Sequence, residues 1–304
     1  MEKQIQTALV GVGGGACAFI ARLSARPHHG YDLIAIDTAQ KPLNKNPASQ
    51  RLLIGESICK RLGCGGLPIM GREAALESEP ILRRALRRYH MVVVVAGMSG
   101  GCGGGALPEI VRMAKDEGVE RVFAVAAMPF RFEGPVRRDQ ARSAVVTTRL
   151  VTDHILEVSG WESRREKRDT RREYHRFDLR LAGVVCALRD LFVVPPVVEL
   201  DAAAALNALG QSPAIRLGFG EAEGPNRLRK AWVRAMGSLV DGITMGKARE
   251  MQVHLVGKRG VFMAEFNEAV HLVRTVVPYG AKIQLSCGKD PSAGERLRMT
   301  VVAV

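Results

Sequence analysis

Glycine fills six of the nine positions in GMSGGCGGG (97–105), immediately after the apolar run MVVVVA. Glycine lets main chain come close to a ligand and adopt positive φ, at an entropic cost on folding, so this density calls for a chemical reason. Two other stretches share the character: GVGGGACA (11–18) follows a strand-like run, and GCGGLP (63–68) precedes a helix-like one. IDTAQ (36–40) closes a further strand-like run. A glycine turn that feeds a helix presents backbone amides and the positive end of the helix dipole, which together favour phosphate. No GxxxxGK[ST] motif is present, so a phosphate here leans on amides rather than on a motif lysine. The first loop alone, Gly11-x-Gly13-x-x-Ala16 with Asp37 downstream, satisfies a dinucleotide fingerprint. Three glycine turns exceed what one pyrophosphate needs. A diphosphate or triphosphate is the expected guest, with a nicotinamide-dependent oxidoreductase as the distant alternative.

Strand-like and helix-like runs alternate around these loops. IQTALVGV, YDLIAID, MVVVVAG and RVFAVAAM read as strands, and ACAFIARLSAR, LESEPILRRALRRY and LPEIVRMAKDEG as helices. Buried apolar runs alternating with helices imply a doubly wound parallel sheet, whose ligands sit at the carboxyl ends of the strands, where the glycine loops fall. A long helix ends near residue 192, and Pro195 and Pro196 stop it. Beyond it, AIRLGFG, MQVHLVGK, AKIQLSCG and RLRMTVVAV with two intervening helices form a second, smaller α/β unit. The expected division is 1–175, a central helix 176–194, and 195–304.

Of the 304 residues, 47% are hydrophobic and 25% charged, an ordinary globular balance. The longest apolar runs are too short to span a bilayer, and MEKQIQTALV shows no signal peptide, so a cytoplasmic protein is expected. Six cysteines without a CxxC pair suggest reduced thiols and no zinc site. Cys17, Cys64 and Cys102 fall in the candidate phosphate loops and read as small packing residues, with redox control of binding as the alternative. The net charge of +13 permits weak association with anionic membrane or an acidic partner. The basic run at 163–176 interleaves acids and few aromatics, which argues for a solvated surface and against sequence-specific nucleic-acid binding.

Taken with further blocks, the loops resemble the tubulin superfamily and, within it, the FtsZ family. SGGCGGG (99–105) stands for the family's GGGTGTG, and GCGGLPIMGREAA (63–75) for its GAGANPEVGR segment. MPFRFEGPVRR (128–138) resembles KPFxFEGxxR, LGFGEAEGPNRLRKA (217–231) resembles MGxGxAxGxxRAxxA, and RLRMTVVAV resembles the closing strand of the second domain. The resemblance implies a tubulin/FtsZ-like α/β fold, a GTPase domain joined by a central helix to a smaller activation and assembly domain. It implies GTP or GDP as ligand, with room for Mg2+ beside the triphosphate. The implied nucleotide set is Gly13, Gly14, Gly15, Ala16, Cys17, Asp37, Gly63, Gly65, Gly66, Gly97, Gly100, Gly101, Cys102, Gly103, Gly104, Pro129, Glu133, Arg137 and Asp178. Glu133 and Arg137 match the family's ribose acid and its arginine partner, a surface capping pair being the other reading. Asp178 falls where the family contacts guanine; its carboxylate either accepts from guanine N1–H and the exocyclic amine or pairs with a nearby arginine.

Three departures shape the functional expectation. Cys102 and Gly104 replace two threonines, and Ala18 replaces an asparagine, changes that leave the amides intact. In the family, a neighbouring subunit's NxDxxD-type loop supplies acids that polarise the attacking water. Here it reads Glu199-Leu200-Asp201-Ala202-Ala203-Ala204, with Asp201 and Glu199 as the remaining catalytic candidates. Alanine at 204 can neither orient water nor accept its proton, so hydrolysis is expected to be slow or absent. The sequence given stops on its last strand, without the family's linker and tail, and no direct recruitment of membrane anchors is expected. The resulting expectation is a GTP-binding protein that self-assembles head to tail into filaments. The alternative is a non-polymerising regulator or co-assembly partner of another FtsZ.

Overall fold

Valine and alanine runs without polar interruption become the central strands of a six-stranded sheet. The computed structural model describes residues 5–25, 30–152, 154–159, 169–198, 216–239 and 248–303, and it divides into two compact units, Met1–Asp178 and Leu179–Val304. In chain order the first unit contains β1 (Thr7–Val12), α1 (Gly14–Ser24), β2 (Asp32–Asp37), α2 (Gln40–Asn44) and β3 (Gln50–Leu53). Then come α3 (Glu56–Cys59), α4 (Pro68–Glu77), α5 (Glu79–Leu86), β4 (Met91–Gly97) and α6 (Gly101–Asp116). It closes with β5 (Arg121–Ala127), α7 (Pro135–Arg149) and β6 (Ile155–Val158).

The strand order is β3-β2-β1-β4-β5-β6, and every neighbouring pair is parallel. Val92, Val93, Val94 and Val95 are all fully buried, as a strand covered on both faces requires. The order reverses between β1 and β4, so the loops after these two strands flank the crevice where an open α/β sheet takes its ligand. Those loops are the first and the last of the glycine clusters.

Two helices differ from the sequence reading. The expected helix over 76–89 is instead split between α4 and α5, which meet at Ser78. Pro80 lacks an amide and its ring opposes the preceding turn, while the Ser78 hydroxyl accepts the Gly55 amide at 2.9 Å. The helix expected from residue 107 begins at Gly101, so most of the glycine run is helix rather than loop. Strands β3 and β6 escaped the sequence reading. QRLL is only partly buried, and ILEV spans four residues at the sheet edge.

Helix α8 (Thr170–Phe192) follows, ending where the sequence placed its stop, and the division between the units falls within it. The second unit adds β7 (Pro196–Val198), β8 (Arg216–Ala222), α9 (Arg227–Ser238), β9 (Glu250–Gly257), α10 (Met263–Arg274), β10 (Lys282–Lys289) and β11 (Leu297–Ala303). Its sheet runs β7-β10-β9-β11-β8, with β9 and β10 parallel and the other pairs antiparallel. Trp232, Met251, Leu255, Met299 and Val301 are buried in its core. Arg298 joins Asp190 at 2.9 Å and Asp290 at 2.5 Å, and Arg189 meets Asp290 at 2.7 Å. This network ties the end of α8 to β11 and to the turn after β10. Among the described residues, no helix is long and apolar enough to cross a membrane.

Candidate functional site

Two helix N-termini converge at the reversal point. Gly13 caps α1 with φ 81° and ψ 165°, a backbone region closed to side chains. Its amide bonds Ile36 O at 2.8 Å, and the first helical bond runs from Cys17 N–H to Gly13 O at 2.9 Å. The amides of Gly14, Gly15 and Ala16 precede that bond and have no intrahelical acceptor. At α6 the Gly100 amide bonds Gly97 O at 3.1 Å, and Gly104 N–H makes the first helical bond, to Gly100 O at 3.0 Å. Gly101, Cys102 and Gly103 therefore offer their amides. A Cβ on Gly13 would stand 3.0 Å from the Gly103 nitrogen, so the two sets of amides belong to one place.

The geometry sorts the nominated amides by availability. Those of Gly14, Gly15, Ala16, Gly101, Cys102 and Gly103 are open to an anion. Those of Gly13, Cys17, Gly100 and Gly104 are spent on backbone carbonyls. The remaining glycines serve close approach. A Cβ on Gly103 would lie 2.5 Å from Gly97 O and one on Gly104 2.6 Å from Met98 O; on Gly105 it would overlap Pro68 O. On either side of Cys64, ahead of α4, Gly63, Gly65 and Gly66 take φ values of 101°, 57° and 80°. Nothing lies within 4 Å of a Cβ on Gly65 or Gly66. Gln140 of α7 donates to Gly66 O and to Ser99 O, both at 3.0 Å, and holds the second loop against the third.

Asp37, at the end of β2, is buried, and its carboxylate accepts from the Thr38 and Ala39 amides at 2.7 and 3.4 Å. Burial raises its pKa, against the pull of those amides and the Cys102 thiol. One carboxylate oxygen would be 3.7 Å from a Cβ on Gly14, so Asp37 sits at the floor of the glycine junction. Burial, with Asp37 next to it, pushes the Cys17 thiol up to about 12.

Pro129 leads from β5 into a short turn whose Glu133 accepts the Phe130 amide at 2.9 Å and pairs with Arg137 at 2.9 Å. Phe130 packs on Phe132, Tyr174 and Phe177, with ring centroids 5.0, 4.8 and 5.3 Å away. Next to this aromatic group, Asp178 takes a two-pronged contact from Arg22 of α1, Nε to Oδ2 at 2.7 Å and Nη2 to Oδ1 at 2.8 Å. The arginine pairing named beside the guanine role is thus present. Glu199, Asp201 and Ala204 lie outside the described residues.

Residues 7–159 match the model of the Tubulin/FtsZ family, GTPase domain, and residues 214–304 match that of the FtsZ family, C-terminal domain. The cell division protein FtsZ of Methanothermobacter thermautotrophicus is 31% identical over 302 residues, covering 97% of this chain and 77% of the relative. The chain belongs to the tubulin/FtsZ family. The cell division protein FtsZ of Aquifex aeolicus is 28% identical, over 97% of this chain and 81% of its own length. An empty FtsZ dimer of M. jannaschii superposes on this FtsZ-family chain with a TM-score of 0.82. It shares 25% identity and covers 100% of this chain and 89% of its own.

Several residues around this candidate site carried no local signal. Arg22 and Gln140 act on partners 156 and 74 or 41 positions away, which only tertiary structure brings together. The aromatic group was closer to legible: Phe130 and Phe132 lie in the quoted MPFRFEG block, and Tyr174 and Phe177 stand one helical turn apart.

Proposed function

We propose that this FtsZ-family chain binds GTP and GDP, with the phosphates on the amides of Gly14–Ala16 and Gly101–Gly103. The ribose lies at Glu133, and the guanine beside Tyr174 and Asp178. The observation that carries the reading is the meeting of two helix N-termini, Gly13 against Gly103, each with three amides ahead of its first helical bond. Mg2+ would accompany the triphosphate and would neutralise part of its charge beside the amides of Gly14–Ala16 and Gly101–Gly103. Among the described residues no three His, Cys, Asp or Glu side chains gather as an all-protein metal site. The nucleotide sits at the end of one subunit, and copies join head to tail into filaments, a heterologous contact that does not close on itself. Hydrolysis is slow because Ala204 stands where a second acid is required.

The test is titration with GTP, GDP and ATP, followed by phosphate-release assays and imaging with GTP and a non-hydrolysable analogue. Guanine nucleotides are expected to bind at least about tenfold more tightly than ATP, and filaments to form with little phosphate released. Equal affinity for ATP would overturn the base assignment. Guanine binding without filaments under any nucleotide favours the second reading, a nucleotide-bound partner of another FtsZ, which Ala204 also supports.

A further inference from the structure

Three thiols meet beneath the phosphate amides, and the nucleotide reading gives them no task. All six cysteines are free. The Cys59 and Cys64 sulfurs are 3.8 Å apart, and Cys64 Sγ lies 3.3 Å from the Thr38 hydroxyl. The Cys102 thiol, in the first turn of α6, is a further hydrogen-bond partner of the Cys64 thiol. That bond, with those from Thr38 and Cys59, outweighs burial and brings the Cys64 thiol down to about 6, while burial pushes Cys59 up to about 11. Cys59 ends α3, and the chain between the pair carries Lys60 and Arg61 at positive φ and Gly63 at 101°. Cys64 also forms part of the support for α6, because its Cβ would stand 2.7 Å from a Cβ on Gly101.

We propose that Cys59 and Cys64 are a dithiol modification site whose oxidation by hydrogen peroxide loosens the phosphate-binding junction. The Cys64 thiolate attacks the peroxide oxygen, giving a sulfenic acid and one water once the leaving hydroxide is protonated. The Cys59 sulfur then attacks the Cys64 sulfur, the S–O bond breaks, and the second water leaves with the Cys59 proton. Two thiols are oxidised to one disulfide, and one peroxide is reduced to two waters. The bond needs the sulfurs about 1.8 Å closer than their 3.8 Å separation. That approach draws Cys64 off Thr38 and Gly101, and Gly65 and Gly66 follow it. The amide of Gly101, which packs on Cys64, Gly66 and Leu67, then loses that support. The consequence for nucleotide rests on the reading of the site given above; formation of the disulfide does not. Coupling between two sites is reciprocal, so bound nucleotide shifts the dithiol–disulfide equilibrium toward the dithiol and makes the link easier to reduce.

Reduced protein is treated with hydrogen peroxide, with and without GDP, then alkylated, digested with trypsin and analysed by mass. Cleavage at Lys60 and Arg61 separates the two cysteines, so a Cys59–Cys64 link appears as two joined peptides. The expected result is that link, an approximately tenfold weaker GDP affinity reversed by dithiothreitol, and a smaller linked fraction at a given dithiothreitol poise when GDP is present. Cys59→Ser is expected to bind GDP like the wild type when reduced and to lose the reversible drop. No link under peroxide, a link from Cys64 to Cys102 instead, or a complete link with unchanged GDP affinity would each overturn the proposal. Reduced protein that links but never binds guanine nucleotide would overturn the site reading and the coupling, leaving the disulfide chemistry standing.

Discussion

At the Asp178 carboxylate, a side chain and a base compete for one geometry. Arg22 presents two parallel N–H donors to both oxygens, and the N1–H and N2–H donors of guanine form the same fork. Under the proposed function both cannot occupy that face, so guanine displaces Arg22, whose side chain is 54% exposed and free to swing into water. An exposed ion pair is worth at most about 1 kcal/mol, so Arg22→Ala is expected to tighten GDP binding about threefold to fivefold by calorimetric titration. In an Asp178→Ala background the same change is expected to do nothing, because the contested group is gone. Weaker GDP binding by Arg22→Ala would mean that the arginine positions the carboxylate instead of competing for it. The resemblance alone singled out Asp178, and an arginine partner was the alternative named for it; the structure shows that arginine pairing. Which arginine it would be was not legible, since the pair spans 156 residues.

Helix α6 shows why the elements were more legible than their ends. Its interior, with Ile110, Val111 and Met113 buried, announces a helix by spacing, whereas GCGGG scores poorly on propensity because glycine is about 1 kcal/mol worse than alanine. Packing overrides propensity here: α4 lies so close that a Cβ on Gly105 would overlap Pro68 O and approach Arg72 N to 2.7 Å. The strands β1 and β4 were legible because burial on both faces demands unbroken apolar runs, while the edge strands β3 and β6 carry no such demand. Two glycine-to-alanine changes separate packing from propensity. Gly105→Ala is expected to destabilise by about 1–3 kcal/mol in urea denaturation, since only backbone can yield. Gly15→Ala, in α1 with nothing within 4 Å of its Cβ, is expected to be neutral or to stabilise by up to about 1 kcal/mol. A stabilising Gly105→Ala would show that the α4–α6 approach is not what the glycines serve.

On the scale of the whole molecule, the carboxylates nominated for the site are already committed. Asp37 is buried on backbone amides, Glu133 holds the Phe130 amide and Arg137, and Asp178 holds Arg22. None of these three is free to orient water at a terminal phosphate. Under the proposed function the hydrolytic acid therefore arrives from a second copy, on the 199–204 segment, and turnover becomes a property of assembly. Phosphate release per chain is then expected to rise with protein concentration and to fall in Asp201→Ala. Ala204→Asp restores the second acid of the family pattern at that contact. A positioned general base contributes about 10²–10⁴-fold, and an imperfectly seated one less, so phosphate release is expected to increase at least about tenfold. GDP affinity is expected to stay the same, because the changed residue serves the neighbour's nucleotide rather than its own. If Ala204→Asp still forms filaments and its phosphate release does not rise, the missing acid is not what limits hydrolysis. The limit would then lie in the glycine junction itself, where Cys102 and Gly104 stand in place of two hydroxyls.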